Sequence, residues 1–346
     1  MIDWLTCIIK IDHNPINGGR LISFDENGVE LFNVKKSARI EGSYSTSVRV
    51  KSQGALTSGG LATELFIDGN PSKLLQGHNI FGSLDIKELM HGLLLHFSNN
   101  NLITFNFHDA CAALDSARVV RIDITHSLRF DSRLHVRAYI KQLSQVAHTR
   151  TGRPMQKQWT LAFNPNSQRW NLIVYSKGDE VSKRKAHVDF PHTEYIQSEA
   201  DRLCRIELRL RSKELIELKL NTIGALTPQT LTELYADYLG RVKMNESIEA
   251  TSDQLSKIPK VIRHTYLCWK SGIAIQSEMS EPTFYRHRKI LLTIGVDIST
   301  PYTDVAAKNV VPLTKVITGE PYKIPQEAIN KGLLYQFKQP QLTAVN

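Results

Sequence analysis

Cysteine is scarce in this 346-residue chain: Cys7, Cys111, Cys204 and Cys268 stand far apart, with no CxxC pair. That spacing argues against a zinc cluster or a disulfide framework and fits a reducing compartment. No apolar run approaches the roughly 18–20 residues that span a bilayer. The start, Met1-Ile2-Asp3-Trp4, lacks the basic and apolar segments of a signal peptide. The expectation is a protein without a membrane partner, working in the cytoplasm. No Walker P-loop, GxGxxG or GxSxG pattern occurs, which disfavours an ATPase, a dinucleotide enzyme or a serine hydrolase. Internal repeats and low-complexity tracts are also missing.

What is present is an excess of positive charge. Lysine and arginine total 43 against 34 acidic residues, a formal net charge of +9. Such a surplus favours a polyanionic partner, because Lys and Arg neutralise phosphates and release counterions. A hydrophobic fraction of 41% is enough for a real core, and the length suggests two domains.

Strand-like stretches dominate the first 220 residues. Trp4–Ile11, Arg39–Lys51, Glu64–Asp68 and Val119–Thr125 are β-rich, and Trp159–Phe163 with Asn171–Ser176 reads as a hairpin. Ile86–Phe97 has helical spacing. Leu134–Ala147 does too, with Leu134, Ala138, Leu143 and Val146 near one face. Asp179–Glu199 is polar and reads as a loop holding the run Lys183-Arg184-Lys185. Beyond residue 220, Pro228–Val242 and Ile248–Gly272 read as helices. Ser280-Glu281-Pro282-Thr283 then opens another helix carrying Tyr285, Arg286, His287, Arg288 and Lys289. Two helices in that order form a helix-turn-helix pattern, whose second helix would use Tyr285, Arg286, Arg288 and Lys289 on DNA. An ordinary helical hairpin with a basic face has the same pattern.

Three strands place polar residues at alternate positions. Arg121, Asp123 and Thr125 share a face, as do Arg205, Glu207, Arg209 and Arg211; Ile173, Tyr175 and Lys177 form the third set. If these strands are neighbours, their open face holds two carboxylates, several arginines, a lysine and a tyrosine. Asp123 and Glu207 could then hold Mg²⁺ through oxygen ligands, arginines could grip phosphates, and a tyrosine hydroxyl could attack phosphorus. A solvent-exposed sheet face laced with ion pairs fits the same spacing.

Several segments, in order, resemble the filamentous-phage gene II-type replication initiators, the phage/plasmid replication protein II/X family. They are Met1-Ile2-Asp3, Asn70-Pro71-Ser72-Lys73-Leu74-Leu75-Gln76-Gly77-His78-Asn79-Ile80-Phe81-Gly82, Arg121-Ile122-Asp123, Val174-Tyr175-Ser176-Lys177, Arg205-Ile206-Glu207-Leu208-Arg209, Phe284-Tyr285-Arg286 and Asn309-Val310-Val311-Pro312-Leu313. The resemblance implies a metal-dependent, site- and strand-specific endonuclease that nicks a phage origin to start rolling-circle replication, then cuts and reseals the displaced strand. It implies an α+β fold, an antiparallel sheet flanked by helices, over residues 1–220. A mostly helical DNA-binding domain over 221–317 and a C-terminal tail over 318–346 would follow. By position, Tyr175 is the expected nucleophile, Lys177 its phosphate support, and Asp123, Glu207 and His78 the ligands of Mg²⁺ or Mn²⁺. Arg121, Arg205, Arg209 and Arg211 are expected on DNA. Tyr139, on a predicted helix, is a rival nucleophile. Many rolling-circle nucleases carry two histidines around one hydrophobic residue on a strand, and no such triplet occurs here. Double- and single-stranded origin DNA is the expected partner, in the cytoplasm of a bacterial host. A host helicase is a candidate partner because strand displacement needs one and no ATPase motif is present, a host polymerase is another because it would extend the free 3′-hydroxyl, and assembly as an oligomer on DNA is compatible with this reading. A non-catalytic DNA-binding regulator, or a hydrolytic nuclease without a covalent intermediate, is the alternative.

Overall fold

A computed structural model describes residues 1–42, 46–150, 152–183, 190–244, 250–299, 302 and 319–337. Strands are β1 (Ile2–His13), β2 (Arg20–Phe24), β3 (Glu30–Lys35), β4 (Ala38–Glu41), β5 (Ser47–Leu56), β6 (Ala62–Gly69), β7 (Arg118–Arg129), β8 (Ala147–His148), β9 (Met155–Lys157), β10 (Thr160–Phe163), β11 (Trp170–Ser176), β12 (Leu203–Arg211), β13 (Lys243–Met244) and β14 (Glu320–Pro321). Helices are α1 (Pro71–Gln76), α2 (Ile86–Asn99), α3 (Phe107–Ala113), α4 (Arg133–Val146), α5 (Lys177–Lys183), α6 (Thr193–Asp201), α7 (Ser212–Glu217), α8 (Pro228–Gly240), α9 (Ser252–Ser256), α10 (Lys260–Lys270), α11 (Glu281–Thr293) and α12 (Gln326–Asn330).

The fold is α+β. One antiparallel sheet runs β4-β5-β6-β1-β7-β12-β11-β10-β9, with β14 added against β7. Alternation explains its two faces. Ile122, Ile124, Leu172, Val174, Ile206, Leu208 and Leu210 are buried in the main core, while their sequence neighbours turn to the other side. Helix α4 meets the apolar face through Val136, Ile140 and Leu143, and α8 through Leu231, Tyr235 and Tyr238. Each such leucine or isoleucine contributes about 1.5–3 kcal/mol by leaving water. Helix α2 buries Leu89, Met90, Leu93, Leu94 and Phe97 in the same cluster; its Asp85 cap accepts from Glu88 N.

Residues beyond 250 gather a second core of Ile258, Ile262, Tyr266, Trp269, Phe284 and Leu291. Residues 319–337 do not trail away. They lie back on the sheet domain as a strap, with Ala328 and Leu333 buried beside Ile80, Phe81 and Ile196.

Several expectations change. The polar segment after Asp179 contains two helices, α5 and α6, rather than a loop, because α6 buries Ile196, Glu199 and Ala200. Ile248–Gly272 is broken at Pro259, where α10 begins. Arg39–Lys51 divides between β4 and β5. On α4 the core side is Val136, Ile140 and Leu143, and Leu134 is exposed. Residues 184–185 of the basic run and the segment Asn309–Leu313 lie outside the described residues.

Candidate active site

The charged face of the sheet is built by register. Strand β12 pairs with β7 so that Arg209 lies opposite Asp123 and Glu207 opposite Thr125; on its other side β11 sets Ile173 opposite Glu207 and Tyr175 opposite Arg205. Strand β1 joins with a shift between Ile2 and Trp4. The bulge breaks alternation at Asp3, so Asp3 and Trp4 both line the same pocket. That pocket, about 510 Å³, is lined by Asp3, Asp123, Glu207, Tyr175, Arg121 and Arg209, together with Asn79, Trp159, Asp179, Glu180 and Lys183.

Electrostatics in this pocket is crowded. Asp123 accepts from Arg121 Nε at 2.8 Å and from Arg209 Nε at 3.1 Å, and Arg209 also donates to Glu207 at 2.9 Å. Burial pushes the Glu207 carboxyl well above the usual range, and the negative charges of Asp123 and Asp3 push the same way. The Tyr175 hydroxyl is also raised, chiefly by burial and despite the positive charge of Arg205. Among the described residues, no three His, Cys, Asp or Glu side chains are grouped so as to hold a metal ion.

A loop after α1 organises the pocket from one side. Gly77 ends that helix in the left-handed region, φ 84°, which glycine adopts without strain. Asn79 then bridges two charged groups: its Nδ2 donates to Asp3 Oδ1 at 2.7 Å, and its Oδ1 accepts from Lys177 Nζ at 2.9 Å. Asn70 adds a second donor to Asp3 at 3.0 Å. Arg205 donates to the carbonyls of Asn79 and Ile80, the latter at 2.6 Å, and lies 3.7 Å from Asp3.

These positions revise three expected roles. Arg205 is fully buried, so it clamps the loop and is not on a DNA-facing surface. Lys177 is not on the strand face; β11 ends at Ser176, and Lys177 opens α5 with its ammonium buried against Asn79 and Glu180. It reaches Tyr175 only as a charge 6.0 Å from the ring. His78 does not join the carboxylates. Its Nε2 bonds the Leu333 carbonyl at 2.7 Å and its Nδ1 accepts from Ile80 N, so the imidazole is a buried strut, its pKa lowered to about 4 by burial. Tyr139 lies on the opposite side of the sheet, beside Phe130 at 5.1 Å and in a cavity with Leu172, Val174 and Ile206. Arg211 pairs in register with Arg121 at the margin of the site. Asp3, Asn79 and Glu180 received no role from sequence, although Asp3 and Asn79 stand inside the quoted motifs.

A second trough, about 830 Å³, adjoins the pocket through Trp159, Asp179 and Lys183. It is lined by Arg137, Lys141 and Arg153, and the Arg137 guanidinium sits 5.2 Å from the Trp159 ring. On α11, Tyr285, Arg286 and Lys289 are exposed. Arg288 is not available in the same way: it makes two bonds to Asp297, at 2.7 and 2.8 Å.

The sheet face therefore brings carboxylates, guanidinia and Tyr175 into a single pocket. Residues 1–229 match the family described as the N-terminal part of the replication-associated protein of gene II type, and residues 250–333 match its C-terminal counterpart. The chain belongs to this family of gene II-type replication-associated proteins. It is 36% identical over 342 residues to the replication-associated protein of this type from Enterobacteria phage I2-2, covering 95% of this chain and 97% of that one. The protein of the same name from Enterobacteria phage M13 is 30% identical over 117 residues, 33% of this chain and 28% of that one. Among solved structures, the rolling circle replication initiator protein from Geobacillus stearothermophilus overlaps 87% of this chain and 98% of its own, at 12% identity and a TM-score of 0.36. No helix among the described residues is long and apolar enough to cross a membrane.

Proposed function

We propose that this protein nicks one strand of a replication origin and retains the cut end on Tyr175. The observation that carries the reading is the placement of Tyr175 in one pocket with Asp3, Asp123, Glu207, Arg121 and Arg209. In this scheme the phenolic oxygen attacks the scissile phosphorus and the bond to the 3′ oxygen breaks. The phenolic proton passes to a pocket carboxylate and from it to the departing 3′ oxygen, which leaves as a hydroxyl that a host polymerase can extend. A 5′-phosphotyrosine keeps the bond energy, so the ends can be rejoined when the displaced strand is cut. Arg121 and Arg209 balance charge at the phosphate.

Asp123 and Glu207 offer hard oxygen ligands and would hold Mg²⁺ or Mn²⁺ in exchange for their present bonds to Arg121 and Arg209. When bound, such an ion polarises a phosphate oxygen. His78 has no part in this set. The basic trough past Trp159 is a path for the unpaired strand, with the indole as a stacking surface. The helical unit beyond residue 250 would dock on duplex origin through Tyr285, Arg286 and Lys289. With no ATPase motif in the chain, strand separation falls to a host helicase.

The test is incubation of the protein with supercoiled plasmid carrying the origin of its own replicon, with Mg²⁺ or with EDTA. Origin-dependent conversion to open or relaxed closed circles only with metal is expected, and Tyr175→Phe should lose it while binding origin normally. Tight origin binding that leaves wild-type reactions supercoiled would instead make the protein a regulator.

A further inference from the structure

Five carboxylates line the pocket of Tyr175, and their partners differ. Asp123 takes hydrogen bonds from Arg121 and Arg209, and Glu207 takes one from Arg209. Asp179 accepts from two nitrogens of Arg137, and Glu180 accepts from Lys177. Asp3 is the exception. Its hydrogen bonds come from two neutral side-chain amides, Asn70 at 3.0 Å and Asn79 at 2.7 Å, and both reach the same oxygen, Oδ1. Arg205 stands beyond hydrogen-bond distance of that oxygen, at 3.7 Å. Among the described residues nothing bonds Asp3 Oδ2.

The attacking atom is in a matching state. The Tyr175 hydroxyl has no hydrogen-bond partner among the described residues, and burial, with Asp3 among the negative charges around it, raises its pKa. A phenol that keeps its proton needs an acceptor before it can attack phosphorus. A carboxylate bonded to arginine or lysine must give up a charge-assisted bond to become that acceptor, and Asp3 has none to give up. Several parts of the fold converge to aim this one side chain. The shift between Ile2 and Trp4 brings Asp3 to the pocket, Asn70 is the cap of α1, and Asn79 lies in the loop whose carbonyls Arg205 clamps. Two amides on Oδ1 fix the carboxyl group and leave Oδ2 unbonded.

We propose that Asp3 is the carboxylate that takes the proton of Tyr175. This rests on the covalent reading above and names its proton acceptor. As the phenolic oxygen forms its bond to phosphorus, Asp3 Oδ2 accepts the phenolic proton. The bond from phosphorus to the 3′ oxygen breaks with its electron pair on that oxygen, which then takes the proton from Asp3. Resealing runs in reverse: the 3′-hydroxyl gives its proton to Asp3 and attacks phosphorus, and Tyr175 leaves and is reprotonated. Asn70 and Asn79 can donate to Oδ1 whether or not Oδ2 carries a proton, so the group keeps its place throughout.

Single-turnover nicking of origin DNA by full-length variants with Mg²⁺ tests the assignment. Asp3→Asn keeps an oxygen for Asn70 and Asn79 and should bind origin as wild type does, while nicking about 10²–10³-fold more slowly. Replacing Tyr175 by 3,5-difluorotyrosine, a more acidic phenol, should speed Asp3→Asn by about tenfold or more and change wild type far less. Asp3→Ala, which opens room for a small acid, should be accelerated by added formate, and Asp3→Ala with Tyr175→Phe should not. Nicking by Asp3→Asn at close to the wild-type rate would overturn the proposal. So would a loss that neither the fluorinated phenol nor formate relieves, as a structural or metal-holding role requires. Full nicking by Tyr175→Phe would remove the covalent reading itself, whereas a Tyr175 adduct formed by Asp3→Asn at the wild-type rate would remove only the assignment of Asp3.

Discussion

Lys177 is fully buried, and its ammonium is held by Asn79 and Glu180. Burial is the largest influence on it and, with Arg205 nearby, lowers its pKa to about 8. In the unfolded chain it titrates near 10.4. Between these values the unfolded state binds more protons, so stability rises with pH across that window. Below about 8 the full cost of a buried charge is present. Comparison with Lys177→Met isolates this residue from buried tyrosines that titrate nearby. From pH 7.5 to pH 10.5, urea unfolding should shift in favour of wild type by about 3 kcal/mol relative to the variant. An unchanged difference would mean that Lys177 already titrates in the folded protein as it does in the unfolded one. The same residue shows where sequence reading stops. Period-two alternation put Lys177 on the face with Ile173 and Tyr175, but the strand ends at Ser176 and the side chain turns inward. His78 and Arg205 have the same lesson. Their types suit metal and phosphate, and only the tertiary partners, a carbonyl of residue 333 and carbonyls of 79 and 80, reveal that they brace a loop.

At the scale of elements, the helical unit beyond residue 250 separates residues that look alike in sequence. Arg286 and Lys289 on α11 face solvent, whereas Arg288 is tied to the buried Asp297, whose carboxyl its two bonds help hold well below the usual range against the opposing effect of burial. Arg286→Ala and Lys289→Ala should each weaken duplex binding across sequences and reduce the slope of log affinity against log salt by about 1. Arg288→Ala should instead lower unfolding stability by on the order of 3 kcal/mol, because it strands a buried carboxylate. Salt titrations of binding and urea curves separate the two outcomes. Helix α11 and the strands β6, β7, β11 and β12 were legible from the sequence pattern. Helices α5 and α6 were not, since their segment is polar and α6 buries only a few side chains. The bulge at Asp3 was equally hidden: it depends on how β1 meets β7, which no local pattern specifies.

Across the whole molecule, the described end of the chain reaches back to the site. Strand β14 adds to β7, Tyr322 bonds Glu199 at 3.0 Å, and the Leu333 carbonyl holds His78 in the loop whose Asn79 orients Asp3. Contacts across some 255 positions of sequence leave no periodic trace, which is why this strap reads as a tail. The sheet face it supports is the centre of the account, and the bond formed there is open to direct observation. Origin DNA would be cleaved by the full-length protein with Mg²⁺, denatured, trimmed with nuclease, and the protein digested for peptide mass spectrometry. A nucleotide linked through phosphate to the peptide containing Tyr175 is the predicted result. Nicked DNA with no adduct, or an adduct on Tyr139 or any other residue, would contradict it.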